Sequence, residues 1–171
     1  MTDYSRHPSL DFSAPLLHMI SGKIGAGKST LAQNLSDSGA GLLIVEDRWL
    51  SVLYPDQIVQ ISDYIRCSER LRHLLGEHLV EILRHGLSVV LDFPLNTPTI
   101  RAWGLQVAER AGVGHVLHFL DLPDVVCKQR LQARNAAGLH PYNTSEEDFD
   151  RLTRYFVPPV PEEGLNIVRG S

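Results

Sequence analysis

Eight consecutive residues constrain this chain more than any others: Gly22-Lys23-Ile24-Gly25-Ala26-Gly27-Lys28-Ser29. They fill the pattern G-x-x-x-x-G-K-[S/T] completely. Glycines at these spacings let successive backbone N–H groups turn inward, which makes a concave nest for an anion. A helix starting where the turn ends adds the positive end of its dipole. Lys28 can then reach terminal phosphates, and the Ser29 hydroxyl, followed by Thr30, is positioned to ligate Mg²⁺. The flanks agree with this reading. Leu16 to Ser21 is an apolar run of buried-strand length. From Ser29 onward Leu31, Ala32 and Leu35 recur at helical spacing, and Gly39 is a fitting stop. A plain glycine-rich turn would not require Lys-Ser at its last two positions.

Beyond the loop, short apolar runs alternate with helical patterns. Leu42 to Val45, Leu87 to Leu91, Val116 to Leu120 and Leu165 to Val168 read as four further strands. Residues 57 to 85 carry Ile, Leu and Val at i, i+3, i+4 spacing, one or two amphipathic helices ending at Gly86. Residues 98 to 111 form another, stopped by Gly112, and Pro123 opens one more through Ala137. Residues 138 to 145 are a loop of turn formers, after which Thr144 and Glu147 form a capping box for a helix to about Phe156. Strand–helix alternation implies a parallel sheet with right-handed crossovers. The expected organisation is a flexible arm over residues 1–14 and one domain over 15–171.

Sixteen Lys and Arg against twenty Asp and Glu give a net charge of −4, which argues against a broad surface for coating nucleic acid. Cys67 and Cys127 are too few for a disulfide framework and read as buried reduced thiols. No apolar run reaches the length of a membrane span, and the first fourteen residues lack the apolar region of a secretory signal. A cytoplasmic protein with no membrane partner is expected. His115 and His118, three apart on a strand, point to opposite faces and cannot chelate one metal. Trp49, Trp103, Tyr64 and Phe93 read as core or pocket walls.

The segments GKIGAGKSTLA, IVEDRWL, VVLDFPLNTPTIRAW and HFLDLPDVVCKQRLQARN together resemble one branch of the P-loop kinases. That branch holds predicted small kinases, polynucleotide-kinase-like domains, zeta toxins and chloramphenicol phosphotransferase, among AAA-type ATP-binding proteins. The resemblance spans residues 16 to 168 and implies an α/β fold. Its five-stranded parallel sheet would run in the order 2-3-1-4-5, flanked by helices and carrying a short lid. It also implies ATP and Mg²⁺ as cofactors, with Gly22, Lys23, Ile24, Gly25, Ala26, Gly27, Lys28, Ser29 and Thr30 around the nucleotide.

Asp47 follows the second strand, where an open α/β sheet places its ligand crevice. In related kinases an Asp there orients or deprotonates the acceptor hydroxyl, while an N-terminal helix cap is the plainer role. Glu46 is its neighbouring competitor. The related pattern runs Asp-x-x-Arg, whereas Arg48 follows Asp47 directly, so Arg48 is retained as an acceptor contact only. Asp92 closes an apolar strand in the manner of a Walker B carboxylate near Mg²⁺, or is a strand-end turn, or stands near the substrate. Asn96 and Arg101 match polar positions of the family on the acceptor side, although Arg101 equally suits a solvated helix face. Arg130 and Arg134, four apart on one helix, would clamp phosphates as lid arginines or form a solvated basic face.

The function this implies is an ATP-dependent transfer of phosphate to a hydroxyl of a small-molecule or nucleotide-like acceptor, by a monomer or homodimer. A polynucleotide 5′-hydroxyl kinase would need a basic groove beside Asp47. A nucleotide-binding switch or ATPase without acceptor would leave Asp47 and the lid arginines without purpose.

Overall fold

The computed structural model describes residues 14–136 and 145–170. The elements run in chain order β1 (Leu16–Gly22), α1 (Lys28–Asp37), β2 (Leu42–Val45), α2 (Glu46–Leu53), α3 (Ile61–Arg84), β3 (Val89–Asp92), α4 (Pro98–Ala111), β4 (Gly114–Leu120), α5 (Asp124–Ala136), α6 (Glu146–Thr153) and β5 (Ile167–Gly170), with a 3₁₀ turn at Pro161–Glu163. The strands form one sheet in the order β2-β3-β1-β4-β5, and every pairing is parallel. The expected sheet order is therefore the observed one. The strand order turns at β1, so its C-terminal end opens the crevice into which α/β sheets place ligands.

Period-two alternation on the strands divides the core. Leu17, Met19, Val89, Leu91 and Leu117 face the layer of α3 and α4, while Ile20, Val90 and Leu120 face α1, α5 and α6. The stretch from 57 to 85 forms a single helix, α3, from residue 61. Gly76 lies inside it, where a Cβ would approach the Trp103 indole nitrogen to 3.4 Å. Cys67 and Cys127 are free and buried.

Several expectations shift: β3 begins at Val89, two residues later than expected, and β4 at Gly114, two earlier. β5 runs from Ile167, two residues later than expected. The cap of α6 is Ser145, whose Oγ accepts from the Asp148 N–H at 3.0 Å; Thr144 and most of the expected lid loop lie outside the described residues. The same holds for residues 1–13 of the expected arm. Asp47 is no helix cap: Val45 holds the N-cap position of α2, and Asp47 is its second residue.

The two central strands carry one buried polar pair. His18 on β1 and His118 on β4 stack at 5.4 Å, with Nδ1 of the first 3.1 Å from Nε2 of the second. One of these nitrogens must carry the proton and the other accept it. Burial lowers His18 to about pKa 4, and burial then the neighbouring ring lower His118 to about 3. Both rings are neutral in the fold, while the unfolded chain protonates them below about pH 6.5. Their contribution is fully present above that pH and is lost as the pH falls toward 4 and then 3. We expect each to add up to about 1.4 kcal/mol per pH unit to the acid loss of stability. Denaturant melts from pH 7 to pH 4 should show a shallower acid slope for His118→Asn than for the wild type.

Candidate active site

The glycine-rich turn joins β1 to α1, and its geometry explains its glycines. Gly25 has φ 77° and Gly27 has φ 98°, a left-handed conformation that L side chains rarely adopt. A Cβ at Gly25 would also lie 2.5 Å from the Cys127 carbonyl oxygen, inside any real contact distance. Gly27 is the N-cap of α1, so Lys28, Ser29 and Thr30 form its first turn, where free N–H groups and the dipole favour an anion. The Lys28 ammonium donates to the Gly22 carbonyl at 2.8 Å and the Lys23 carbonyl at 2.9 Å. Burial lowers its pKa to about 8, against the opposing pull of Asp92, Cys127 and Asp47.

Asp92 ends β3 beside the turn. Burial raises its pKa, opposed by a hydrogen bond from Ser29 and by the charge of Lys28. Ser29 and Asp92 thus bring two hard oxygen donors together. A Mg²⁺ ion takes such a set alongside phosphate oxygens and water, so the residues fit that ion. Arg130 on α5 donates to the Ala26 carbonyl at 3.1 Å, directly over the turn. Arg134, one helical turn on, lines the same cleft, and its charge acts on Lys28. Lys23 pairs with Asp124 at the start of α5.

The cleft has a volume of about 1210 Å³ and runs from this turn to α2 and α3. Lys23 through Thr30, Asp47, Asp92, Asn96, Arg130 and Arg134 all line it. Asp47 is close enough for its charge to act on both Lys28 and Asp92. Its neighbour Glu46 points inward and is only 1% exposed. The Tyr64 hydroxyl donates to Glu46 at 2.6 Å, and Arg72 pairs with it at 3.3 Å. Burial raises the Glu46 pKa, while Tyr64 and Arg72 oppose the rise. Glu46 therefore anchors α2 to α3 rather than facing the cleft.

The family described as AAA domain matches residues 17–159. The chain belongs to that family. A presumptive kinase of Chloroflexus aurantiacus is 20% identical, with a TM-score of 0.69 over 94% of this chain and 86% of that one. The APS kinase of Mycobacterium tuberculosis, in complex with AMPPNP and APS, is 20% identical, with a TM-score of 0.59 over 91% and 88%. A sugar kinase of Janibacter sp. HTCC2649 is 17% identical, with a TM-score of 0.63 over 92% and 84%. No curated protein matches the chain at a significant level. Likeness at these identities establishes the fold, that of the P-loop kinases.

Within this AAA-domain protein, several residues take roles the sequence did not suggest. Arg101 is fully buried, which corrects both a substrate contact and a solvated face. Its guanidinium pairs with Glu163 at 2.7 and 2.8 Å, and donates to the carbonyls of Leu95 at 3.3 Å and Val157 at 2.9 Å. Asn96 reaches the phosphate turn: its Oδ1 accepts from the Gly22 N–H at 3.1 Å. That bond occupies the Gly22 N–H. Arg48 is exposed on α2 and stands outside the residues lining the cleft. Trp49 is 40% exposed, whereas Phe93 and Trp103 stack in the core at 5.8 Å and Tyr64 walls the cleft. Nothing in the spacing of Tyr64 and Arg72 along α3 marked their shared partner, since neighbours on a helix face stand three or four residues apart.

Lys28 must be charged to pair with phosphate, and above about pH 8 the neutral form prevails before nucleotide binds. We expect kcat/KM for ATP to fall along an alkaline limb near pH 8, a profile that reports the free protein. Lys28→Arg, whose guanidinium does not titrate in this range, should lack the limb whatever its absolute rate.

Proposed function

We propose that this protein is an ATP-dependent phosphotransferase that moves the γ-phosphoryl group to a hydroxyl of a small molecule. The observation that carries the reading is the meeting of Asp47 with Lys28, Ser29 and Asp92 in one cleft. A carboxylate that faces the phosphate cradle across a cleft is what acceptor activation requires and simple nucleotide retention does not. The APS kinase complex, which holds AMPPNP together with APS in the same fold, supports a nucleoside triphosphate beside a small acceptor.

In this reading the N–H groups of the turn and α1 cradle the β and γ phosphates, and Lys28 neutralises their charge. Ser29 and Asp92 would hold Mg²⁺, which would supply neutralisation of the phosphate charge. Asp47 orients the acceptor hydroxyl and takes its proton as the hydroxyl oxygen bonds to the γ phosphorus. The bond from that phosphorus to the β–γ bridging oxygen breaks, and ADP leaves. Arg130 and Arg134 balance the charge spread over the transferring oxygens.

Asp47→Asn keeps size but removes the negative charge and the proton-accepting capacity. ATP affinity should stay within a few-fold of wild type, while transfer falls by at least about tenfold. Calorimetric ATP binding and acceptor phosphorylation on one preparation check this, with Lys28→Ala as the variant that loses productive ATP use. Undiminished transfer would move the acceptor carboxylate elsewhere, and turnover indifferent to every acceptor would favour a switch or ATPase.

Arg130 and Arg134, replaced singly by Ala, should lower kcat more than they raise KM for ATP, since charge stabilisation is needed most in the transition state. Steady-state kinetics separate the two effects. A raised KM with unchanged kcat would make both residues ground-state binders.

A further inference from the structure

The cleft is electrically divided. Among the described residues, its Lys and Arg linings are Lys23 and Lys28 of the turn, Arg130 and Arg134 of α5, and Arg169 of β5. All five stand on the turn itself or on the β4–β5 side of the sheet. The opposite wall, from α2, α3, the connection after β3 and the first turn of α4, presents Asp47, Ile61, Tyr64, Ile65, Pro94 and Ile100, with the polar Asn96 and Thr97 at its inner edge. Tyr64 spends its hydroxyl on Glu46, so what it offers the cleft is an aromatic ring.

Among the described residues, the arginines of α2, α3 and α4 all stand outside the cleft lining. Arg72 pairs with Glu46 at 3.3 Å, Arg66 with Asp63 at 3.0 Å, and the buried Arg101 with Glu163. Arg48 is exposed outside the cleft lining, and Arg70 lines a separate small hollow with Glu69 and His73. Residues 137–144 contain neither Lys nor Arg, and residues 1–13 contain Arg6 alone. An acidic acceptor seated here would lose hydration against apolar side chains, beside the carboxylates of Asp47 and Asp92, and among the described residues no Lys or Arg lines this wall to replace the lost water. An apolar body on the same wall is favoured by its own desolvation.

We propose that the acceptor is an uncharged alcohol with an apolar body, and that the site disfavours alcohols bearing carboxylate, phosphate or sulfate. This rests on the phosphotransferase reading above and adds the chemical class of its substrate. It also gives the apolar wall a purpose beyond packing: the wall holds the body of the acceptor while Asp47 holds its hydroxyl. The arginines opposite are thereby left to the nucleotide.

The test is a set of matched alcohols supplied with Mg·ATP to the full chain. Each neutral member, such as a methyl ester of a hydroxy acid, a cyclic alcohol or an aryl alcohol, is paired with its carboxylate or phosphate counterpart. Phosphorylated product is read by mass. The neutral members should lead in kcat/KM by about tenfold or more. Ile65→Arg places a cation on this wall at a residue that is 52% exposed, so the fold accommodates it. The variant should shift the neutral-to-anionic ratio toward the anionic members by a similar factor. Wild-type preference for the anionic members, or a ratio unmoved by Ile65→Arg, overturns the assigned class and leaves the phosphotransferase reading intact. If no alcohol of either kind is phosphorylated while Lys28-dependent ATP binding persists, the phosphotransferase reading fails and this inference falls with it.

Discussion

A turn whose N–H groups must converge on one anion leaves little freedom to the elements around it. Gly25 cannot carry a side chain, because the carbonyl of Cys127 already occupies that space. The start of α5 is thereby pressed against the turn, and Arg130, three residues further along α5, arrives over Ala26 and Gly27. On the other flank Asn96 takes the Gly22 N–H, which fixes how the turn leaves β1. Val157 then donates to the Asn96 carbonyl at 2.9 Å, so the segment after α6 is tied to the same point. The position of the phosphate cradle thus determines the position of the arginine above it and of the loop beside it.

Placing charge around this cradle costs hydration, and the structure meets that cost differently on each side. Lys28 is buried and its pKa falls, yet its two carbonyl partners and the nearby carboxylates keep it mostly charged near neutrality. Glu46 is buried behind Asp47, where Tyr64 and Arg72 satisfy it. Buried ion pairs of this kind add little net stability compared with apolar packing, but removing one partner strands the other. Their value here is geometric: Glu46 fixes the first turn of α2, from which Asp47 projects. Arg101 does the same for the loop after Asp92, holding the carbonyls of Leu95 and Val157 with one guanidinium.

The sequence made the cradle, the strands and most helix limits legible because each depends on residues close together along the chain. Glycine spacing, apolar runs and stop residues are local signals. The pairs it did not reveal are distant. Arg101 and Glu163 are 62 residues apart, and His18 and His118 are 100 apart. An arginine at a helical position looks solvated until the fold shows that a carboxylate from a later turn covers it. The cap of α6 failed differently. Thr144 and Ser145 are adjacent capping residues followed by Glu147 and Asp148, so two overlapping boxes were available, and local pattern does not choose between them.

The two halves of the site also differ in how they can be read at all. The donor side is written in backbone conformation, which demands glycine at particular steps and so leaves a motif. The acceptor side is written in side chains on helices, and Ile61, Ile65 and Ile100 have the same spacing they would have in a core. Periodicity marks an apolar face but does not say what covers it. Exposure alone does not decide, since Leu74 on α3 is 56% exposed outside the cleft; place does, for Ile65 is 52% exposed in the same cleft as Asp47. An apolar helix residue left open beside a carboxylate and a phosphate cradle is better explained by a ligand than by packing.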